Sequence, residues 1–546
     1  GKSTTFRADW KIFKEFREDH EKRDFVSAGA AAGISAAFGA PVGGVLFSLE
    51  EGASFWNQSL TWRILLCSMI SFFSLNLILS AYHGVPGELS HPGLLNLGNF
   101  NNLTYTIYEF PFFLLMGLIG GVSGAVFNSI NYALTSFRMK YIYKNSHKVF
   151  EALVVIMTTT SVAMLMVLLL NDCRPLGEDP VENPVKIFCG DGEYNAAAAM
   201  WFQTGEPAVR SLFHDPEGSQ RIPLLFVFSI CYSLMACWSH GTVVPSGLFV
   251  PSLLAGAAWG RLIGIVIRMF FPKLGANSAG KYALIGAAAQ LAGVTRSTLS
   301  LAVLLIEATG NITFGLPIMV TLMVAKWTAD YLIEGIYEIG IRLSGAPLLP
   351  FDPPPLCCDV EAAEIMSCPV VTLKPVESVD NIFRMLKGNN HNGFPVVDNL
   401  DANNELESSL STFGRCQGLI LRSQLIVVLQ NRLFLETVSE WKPEVTIDVF
   451  RDAYPRYKDV TQIEMSAEEL KKHIDLRPFM NPNPYTVFYS TSVARVFRLF
   501  RGLGLRHLIV TERNNEVVGI ITRKDLAKYR VSIRRGYLKL EEIVFV

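Results

Sequence analysis

The sequence is poor in charge and has almost no excess of either sign. Only 18% of its 546 residues are charged, and the formal net charge at pH 7 is −1. So small a net charge provides no basic field, and we expect no nucleic-acid partner. Half of the residues are hydrophobic and the mean hydropathy is +0.30, which is too apolar for an ordinary soluble protein of this length.

The sequence does not begin with methionine, and we expect no signal peptide at its start. Residues 1–24 are polar and charged instead. We therefore predict that 1–24 is a cytosolic segment and that the sequence is a piece of a longer protein.

Cysteine is scarce, with nine residues in the whole chain. Cys173 and Cys189 flank the acidic, proline-rich part of the loop 171–195. Oxidising compartments permit disulfides, whereas the cytosol keeps thiols reduced. We predict a disulfide between these two cysteines if the loop faces an oxidising lumen.

Long apolar runs are abundant in the first 345 residues. Four are long enough to cross a bilayer, which takes about 20 residues; they are Leu60–Tyr82, Phe110–Leu134, Val149–Leu170 and Ile222–Trp238. Three further runs are broken by Gly or Pro and cover Leu248–Phe271, Tyr282–Thr309 and Phe314–Ile333. The alternative is a large buried soluble core, but so many long runs together favour a multi-pass membrane domain over 25–345.

The loop after the second run sets the orientation of this domain. It contains Arg138, Lys140, Lys144 and Lys148 and no acid. Short loops rich in Lys and Arg stay in the cytosol, so the flanking loops 91–108 and 171–220 should lie on the far side. Asn102, in an Asn-Leu-Thr sequence on that side, is then a candidate glycosylation site.

Two stretches of the chain are variants of one another at an offset of 257. Gly29 aligns with Gly286, and Glu50 aligns with Glu307. Each stretch is a small-residue helix followed by an apolar run that ends in an acid. Weak internal symmetry of this kind is typical of transporters built from inverted repeats, whose substrate lies near the repeat interface. Glu51 has alanine at its matching position, which indicates a role beyond packing; the alternative is an acid that caps or pairs at a helix end.

The motif Gly247-Leu248-Phe249-Val250-Pro251 opens one of the broken runs. A helix that begins here would direct unpaired N–H groups and its positive dipole end at whatever lies in front. The natural ligand of such a helix end is an anion. The alternative is a simple Pro/Gly break lined by other helices.

Together these residues resemble the CLC family of chloride channels and chloride/proton exchangers over nearly the whole chain. The motifs that carry the resemblance are Gly29–Gly33, Glu50-Glu51, Gly247–Pro251 and Tyr337 in Gly335-Ile336-Tyr337. The segments Phe47–Gln58 and His391–Val397 are similar to those of the late-endosomal and lysosomal exchangers.

The resemblance implies a role for each motif. The central chloride would be held at Gly247, Leu248 and Phe249 through backbone N–H groups, and by the hydroxyl of Tyr337. Glu51 matches the internal proton-transfer glutamate of the exchangers, where passive channels carry a non-acidic residue, and Glu50 matches a structural position. A carboxyl group at the edge of a low-dielectric region costs less free energy when neutral, which suits Glu51 to taking up protons.

Two elements of the family pattern are absent from this sequence. The serine-bearing anion motif and the gating glutamate of the family lie upstream of Gly1, and the offset of 257 places the counterpart of 247–251 at −10 to −6. We therefore expect that the chain lacks part of its chloride site and that alone it is inactive.

A second internal repeat, at an offset of 114, occupies the C-terminal part, where Ile365–Thr372 parallels Phe479–Thr486. The order of motifs resembles a CBS pair, a cytosolic α/β module with a cleft between its two repeats. The predicted divisions are a linker at 346–360, CBS repeat 1 at 361–430, a linker at 431–475, and CBS repeat 2 with the tail at 476–546.

The cleft of such a module binds ATP or other adenine nucleotides. Thr522 and Asp525 begin the last helix, where a carboxylate can accept from ribose hydroxyls and N–H groups can meet phosphate. By resemblance, His391 and Asn392 would line the base or ribose, with Thr372 nearby. The alternative is a purely structural pair that makes dimer contacts. No catalytic grouping stands out and no metal site is expected, so we do not expect an enzyme.

These inferences predict a mainly α, homodimeric membrane protein with a partial CLC-type domain of inverted repeats and a cytosolic CBS pair. It would exchange cytosolic chloride for luminal protons in the lysosomal or late-endosomal membrane, in contact with membrane lipids. The resemblance also implies a small glycosylated accessory subunit. The alternatives are a passive voltage-gated chloride channel and a non-transporting, nucleotide-sensing subunit.

Overall fold

The computed structural model divides the chain into two compact units, His20–Leu343 and Gly1–Asp19 with Ser344–Val546. It describes residues 16, 19–53, 56–84, 87, 89, 93–98, 100, 103–170, 172–175, 184–190, 192–216, 218–271, 279–350, 353, 360–398, 412–435, 449–450, 460–527, 529–534 and 537–542. The first unit begins inside the predicted polar segment 1–24, because a helix already starts at Asp19.

Thirteen helices are described in or at the edge of the first unit, which we call the helical unit. They are α1 Asp19–Phe38, α2 Pro41–Phe47, α3 Gln58–Tyr82, α4 Phe110–Tyr141, α5 Asn145–Leu170, α6 Ala196–Trp201, α7 Gly205–His214, α8 Ile222–Ser239, α9 Phe249–Phe270, α10 Ala279–Thr295, α11 Leu299–Thr309, α12 Gly315–Leu332 and α13 Ile336–Leu343. A π-helical turn, Ser48–Gly52, continues α2.

Six of the described helical segments are long and apolar enough to cross a membrane. Four of them, α3, α4, α5 and α8, coincide with the four unbroken apolar runs, which confirms that part of the prediction. Helix α3 carries exposed apolar side chains, among them Trp62, Met69 and Phe73, each more than half exposed. A helix with such an outer face suits contact with lipid rather than water.

Helix α10 lies at the centre of the helical unit and is buried along its whole length. Its small residues allow neighbouring backbones to approach closely, as in other membrane bundles. A Cβ atom added to Gly260 of α9 would lie 2.9 Å from the Cα of Gly286, and one added to Gly124 of α4 would overlap Gly293. Glycine is therefore required where α4 and α9 cross α10.

Two buried cations of the helical unit, Lys281 and Arg261, have partners in the structure. The ammonium of Lys281 lies 2.8 Å from Glu109, and both side chains are at most 3% exposed. The guanidinium of Arg261 donates to the carbonyl oxygens of Leu212 and Asp215, at 2.7 and 2.8 Å, where α7 ends. Buried charges with such partners avoid the large cost of an isolated ion.

A short hairpin lies in the loop predicted to face the lumen. Strand β1, Cys173–Pro175, pairs antiparallel with β2, Glu193–Asn195, and a disulfide joins Cys173 to Cys189. Asn102, the candidate glycosylation site, lies outside the described residues.

The second unit contains the α/β part of the chain. Its helices are α14 Ala362–Ile365, α15 Val379–Gly388, α16 Arg422–Gln430, α17 Val493–Leu503 and α18 Arg523–Ala527. Its strands are β3 Val376–Ser378, β4 Gly393–Asp398, β5 Arg415–Leu421, β6 His473–Asp475, β7 Thr486–Phe488, β8 His507–Thr511, β9 Val517–Thr522, β10 Tyr529–Arg534 and β11 Tyr537–Glu542.

Two pairs of elements in this unit repeat with the spacing of 114 read from the sequence, which carries the start of α15 onto that of α17 and the start of β4 onto that of β8. Helices α16 and α18 are related by a different offset, 101. Strand β4 pairs antiparallel with β5, and β8 lies between β7 and β9. Strand β6 lies at the end of the segment predicted as a linker and pairs with β3. It therefore belongs to the first lobe, the half of the module that is built around CBS repeat 1.

Candidate functional site

The N-terminus of α9 is open at its front. Leu248 precedes the helix, and no side chain of the described residues caps it. Gly247 is exposed, and a Cβ atom added to it would meet nothing within 4 Å. The first N–H groups of a helix have no partner within that helix. Anion binding at this end stays a prediction, and the uncapped helix start is compatible with it.

Hydrophobic contacts hold two other helices against this open end. Leu248 packs on a buried cluster that includes Val294 and Ile336, the first residue of α13. The ring of Phe249 lies 4.6 Å from that of Phe38, at the end of α1. These contacts bring Tyr337, the second residue of α13 and 40% exposed, to the region of the α9 N-terminus.

Helices α2 and α11 cap each other through two glutamates. Glu50, in the π-helical turn after α2, accepts hydrogen bonds from the backbone N–H and the hydroxyl of both Thr298 and Ser300, at 2.6–3.0 Å. Glu307, in the last turn of α11, accepts from the backbone N–H of Gly43 at 2.8 Å and of Val42 at 3.4 Å. Each carboxylate thus satisfies N–H groups at the start of the other helix, where an anion is also favoured by the helix dipole.

The offset of 257 relates these two caps. It carries Gly43 onto Ser300 and Glu50 onto Glu307, so the two hydrogen-bonded pairs exchange places under the repeat. The predicted repeat is therefore present in three dimensions as a reciprocal contact. The geometry agrees with the structural role expected for Glu50.

Glu51 lies beside these caps and has different surroundings. One oxygen of its carboxylate accepts a hydrogen bond from the hydroxyl of Ser297 at 2.9 Å. The charges of Glu50, Glu338 and Lys326 act on this carboxylate, and its own charge acts on Tyr337. The structure therefore brings Glu51 and Tyr337 into one electrostatic neighbourhood, with no permanent ion pair to Glu51 among the described residues.

The sequence interpretation missed the hydrogen-bond partners of Glu50 and Glu51, which are Ser297, Thr298 and Ser300. A signal for two of them was present. Thr298 and Ser300 stand at the start of α11, where hydroxyl residues are common caps, and Ser300 aligns with Gly43 under the repeat.

The second unit has a cavity of about 570 Å³ between its two repeats. Four of the predicted nucleotide ligands, His391, Asn392, Thr522 and Asp525, line it. Thr372 is not among the lining residues, although Val370 and Val371 are. The backbone of Leu373 bonds to β4, and its side chain is buried in the core of the first lobe, so the chain has left the cavity by this point.

Asp525 is already engaged within the module. One carboxylate oxygen accepts from the backbone N–H and the hydroxyl of Thr522, both at 2.7 Å, and the other accepts from Ser367 at 3.1 Å. The carboxylate therefore caps α18. A ribose hydroxyl that donated to Asp525 would therefore share a carboxylate oxygen that already accepts a hydrogen bond from Thr522 or Ser367.

Cations outnumber acids along this cavity. Arg422, Arg506, Arg523 and Lys524 line it, against Asp525 as the single acid among the lining residues described. Arg422 also bonds to the carbonyl oxygen of Leu386 at 2.6 Å, so it is held in place. Burial, assisted by the charge of Arg506, lowers the pKa of His507 and favours its neutral form. The described lining of the cavity thus suits an anionic ligand.

Comparison with known proteins agrees with this geometry. A family model described as "Voltage gated chloride channel" matches residues 4–330, and one described as "CBS domain" matches 362–408 and 474–532. The chain is 51% identical to H(+)/Cl(-) exchange transporter 7 of Homo sapiens over 549 residues, covering 100% of the chain and 67% of that protein. The corresponding values for the Mus musculus protein of that name are 51%, 97% and 66%.

More distant relatives cover a similar share of the chain. Chloride channel protein C of Dictyostelium discoideum is 35% identical and covers 96% of the chain and 70% of that protein. The crystal structure of a eukaryotic CLC transporter shares the fold, with a TM-score of 0.59 at 23% identity, covering 95% of the chain and 73% of that structure. The chain spans about two thirds of the length of the exchange transporter 7 relatives. It is a multi-pass membrane protein with a CBS pair, and it belongs to the voltage gated chloride channel family.

Proposed function

We propose that the protein is an antiporter that exchanges cytosolic chloride for luminal protons. The observation that carries this proposal is the position of Glu51, whose charge acts on Tyr337. Ile336, the residue before Tyr337, packs in the same cluster as Leu248 at the open end of α9. Intramembrane acids mark proton paths more often than they serve packing. The names of the 51% identical relatives, which are H(+)/Cl(-) exchange transporters, support the same activity.

The two ions use different chemistry in this arrangement. Chloride is held by backbone N–H groups at Gly247, Leu248 and Phe249 and by the hydroxyl of Tyr337, none of which needs to change its protonation state. The proton is carried by Glu51, which is neutral when loaded and charged when empty. Because the empty carboxylate repels an anion, we infer that the charge state of Glu51 and the occupancy of the chloride site influence each other.

The proposed location is the lysosomal or late-endosomal membrane. The disulfide between Cys173 and Cys189 supports a loop in an oxidising compartment. The exposed apolar faces of α3 and α12 suit lipid or a second copy of the chain, as a homodimer needs. A small glycosylated accessory subunit remains a prediction from the family resemblance.

Reconstitution tests the exchange directly. We expect an outward chloride gradient across liposomes that contain the purified full-length protein to drive protons inward against their own gradient. Chloride flux without any proton movement would favour the passive channel, and the absence of both fluxes would favour the nucleotide-sensing subunit.

We further propose that the CBS cavity binds ATP or another adenine nucleotide as a regulator. Its size, its excess of cations and the position of His391 and Asn392 on its wall support this role. No reaction is assigned to the nucleotide.

The Arg506→Gln variant tests one of the two solvent-exposed cations that line the cavity, the other being Lys524. We expect ATP to bind about tenfold more weakly, because one charge-assisted contact to phosphate is lost. Isothermal titration of the full-length protein measures the effect. Arg513→Gln is the matched control, since Arg513 is an exposed arginine of the same module that does not line the cavity. Equal affinities for the two variants would contradict the site.

A further inference from the structure

The turn between α10 and α11 is held rigidly on both sides. On one side, Glu50 accepts from the backbone and hydroxyl groups of Thr298 and Ser300. On the other side, Arg296 adopts a left-handed conformation with φ of 71°, and its guanidinium donates to the carbonyl oxygens of Ala329 and Ile333 at 3.0 and 2.7 Å. These contacts tie the turn to the π-helical turn after α2 and to the end of α12.

Ser297 lies between the two anchors and is 2% exposed. Its backbone N–H donates to the hydroxyl of Thr295 at 3.4 Å, and its own hydroxyl donates to an Oε atom of Glu51 at 2.9 Å. Within the described part of the chain, the Glu51 carboxylate accepts this one hydrogen bond. Adjacent glutamates thus meet one turn, but Glu50 binds it with four hydrogen bonds and Glu51 with one.

This difference separates a structural acid from one that can change its charge. Four donors hold Glu50 in its charged form and in one orientation. One hydroxyl donor holds an oxygen of Glu51 in place and leaves the second oxygen available for a proton. A serine hydroxyl is both donor and acceptor, so it can donate to the charged carboxylate and accept from the neutral acid without losing its own proton.

We propose that Ser297 is a positioning residue for proton transfer: it orients the Glu51 carboxyl group and favours the charged form that takes up the next proton. This inference rests on the proposed antiport. It adds to the proton path a residue of the connection between α10 and α11.

The test compares Ser297→Ala and Ser297→Thr with the unaltered full-length protein in liposomes, with chloride-driven proton transport recorded as the pH on the cytosolic side is varied. Loss of the hydroxyl removes a donor to the carboxylate, so in Ser297→Ala proton uptake should persist to a pH higher by about half a unit to one unit. The ratio of protons to chloride should stay unchanged because Glu51 remains. Ser297→Thr keeps the hydroxyl and should restore the original profile.

A profile in Ser297→Ala that is lower in rate but unchanged in its pH midpoint would overturn the inference, because a merely structural serine would give that result. Thermal unfolding in detergent shows whether the variant is folded. If it is not, Ser297→Cys replaces it, since a thiol has similar volume and is a weak donor, and the same displaced midpoint is required. If the unaltered protein moves no protons, the proposed antiport fails and this inference fails with it. If the unaltered protein moves protons but the pH midpoint of the variant is unchanged, the antiport stands and this inference alone fails.

Discussion

Replacing Glu51 with alanine is expected to abolish proton transport while chloride flux continues. The carboxyl group is the proton carrier in this account, whereas chloride is held by the α9 end and Tyr337. Loss of a positioned proton-transfer group typically lowers a rate by about 100-fold or more, which would bring proton movement to the background of empty liposomes. Parallel recording of pH and chloride in the same liposome preparation measures both fluxes.

The matched control is Glu50→Gln at the neighbouring position. Glutamine preserves the shape of the side chain, and its amide oxygen can accept two of the four hydrogen bonds, so we expect a less stable protein in which the ratio of protons to chloride does not change. Proton transport that survives in Glu51→Ala, or that is lost only in Glu50→Gln, would contradict the assignment of the carrier.

Removing the caps between α2 and α11 is expected to destabilise the helical unit, and to an unequal extent. Glu50→Ala leaves two backbone N–H groups and two hydroxyls without their carboxylate, and we expect a cost of about 2–4 kcal/mol because such groups are only partly rehydrated. Glu307→Ala removes acceptors from two N–H groups, one of them at a long distance, and should cost about 1–2 kcal/mol. The midpoint of thermal unfolding in detergent should therefore fall further for Glu50→Ala.

Glu51→Ala provides the comparison within the same π-helical turn. It loses one hydrogen bond, to Ser297, and should lower the unfolding midpoint less than Glu50→Ala. The opposite order of these two variants would show that the reciprocal caps are not what joins the two helices.

Much of this fold follows from the sequence because its causes are local. Runs of about 20 apolar residues must form helices in a membrane, since only a helix satisfies its own backbone there. The small residues of α10 likewise indicate close helix packing, because they allow neighbouring backbones to approach. The offset of 257 in the sequence likewise predicted which acids correspond, and the structure shows them in corresponding contacts.

The contacts that distinguish Glu50 from Glu51 could not be predicted in this way. Their partners lie about 250 residues away, at Ser297, Thr298 and Ser300, and nothing in the local pattern specifies which acid meets which hydroxyl. Thr372 illustrates the same limit in the CBS pair. Its place in the motif suggested the cavity, but the bonding of Leu373 to β4 determines where the chain leaves it.

The most direct test of the account is the reversal potential of current through the full-length protein as cytosolic pH is changed at constant chloride on both sides. An antiporter couples the two ions, so we predict that the reversal potential moves with every change in pH. A reversal potential that stays at the equilibrium potential of chloride at every pH would contradict the exchange of chloride for protons.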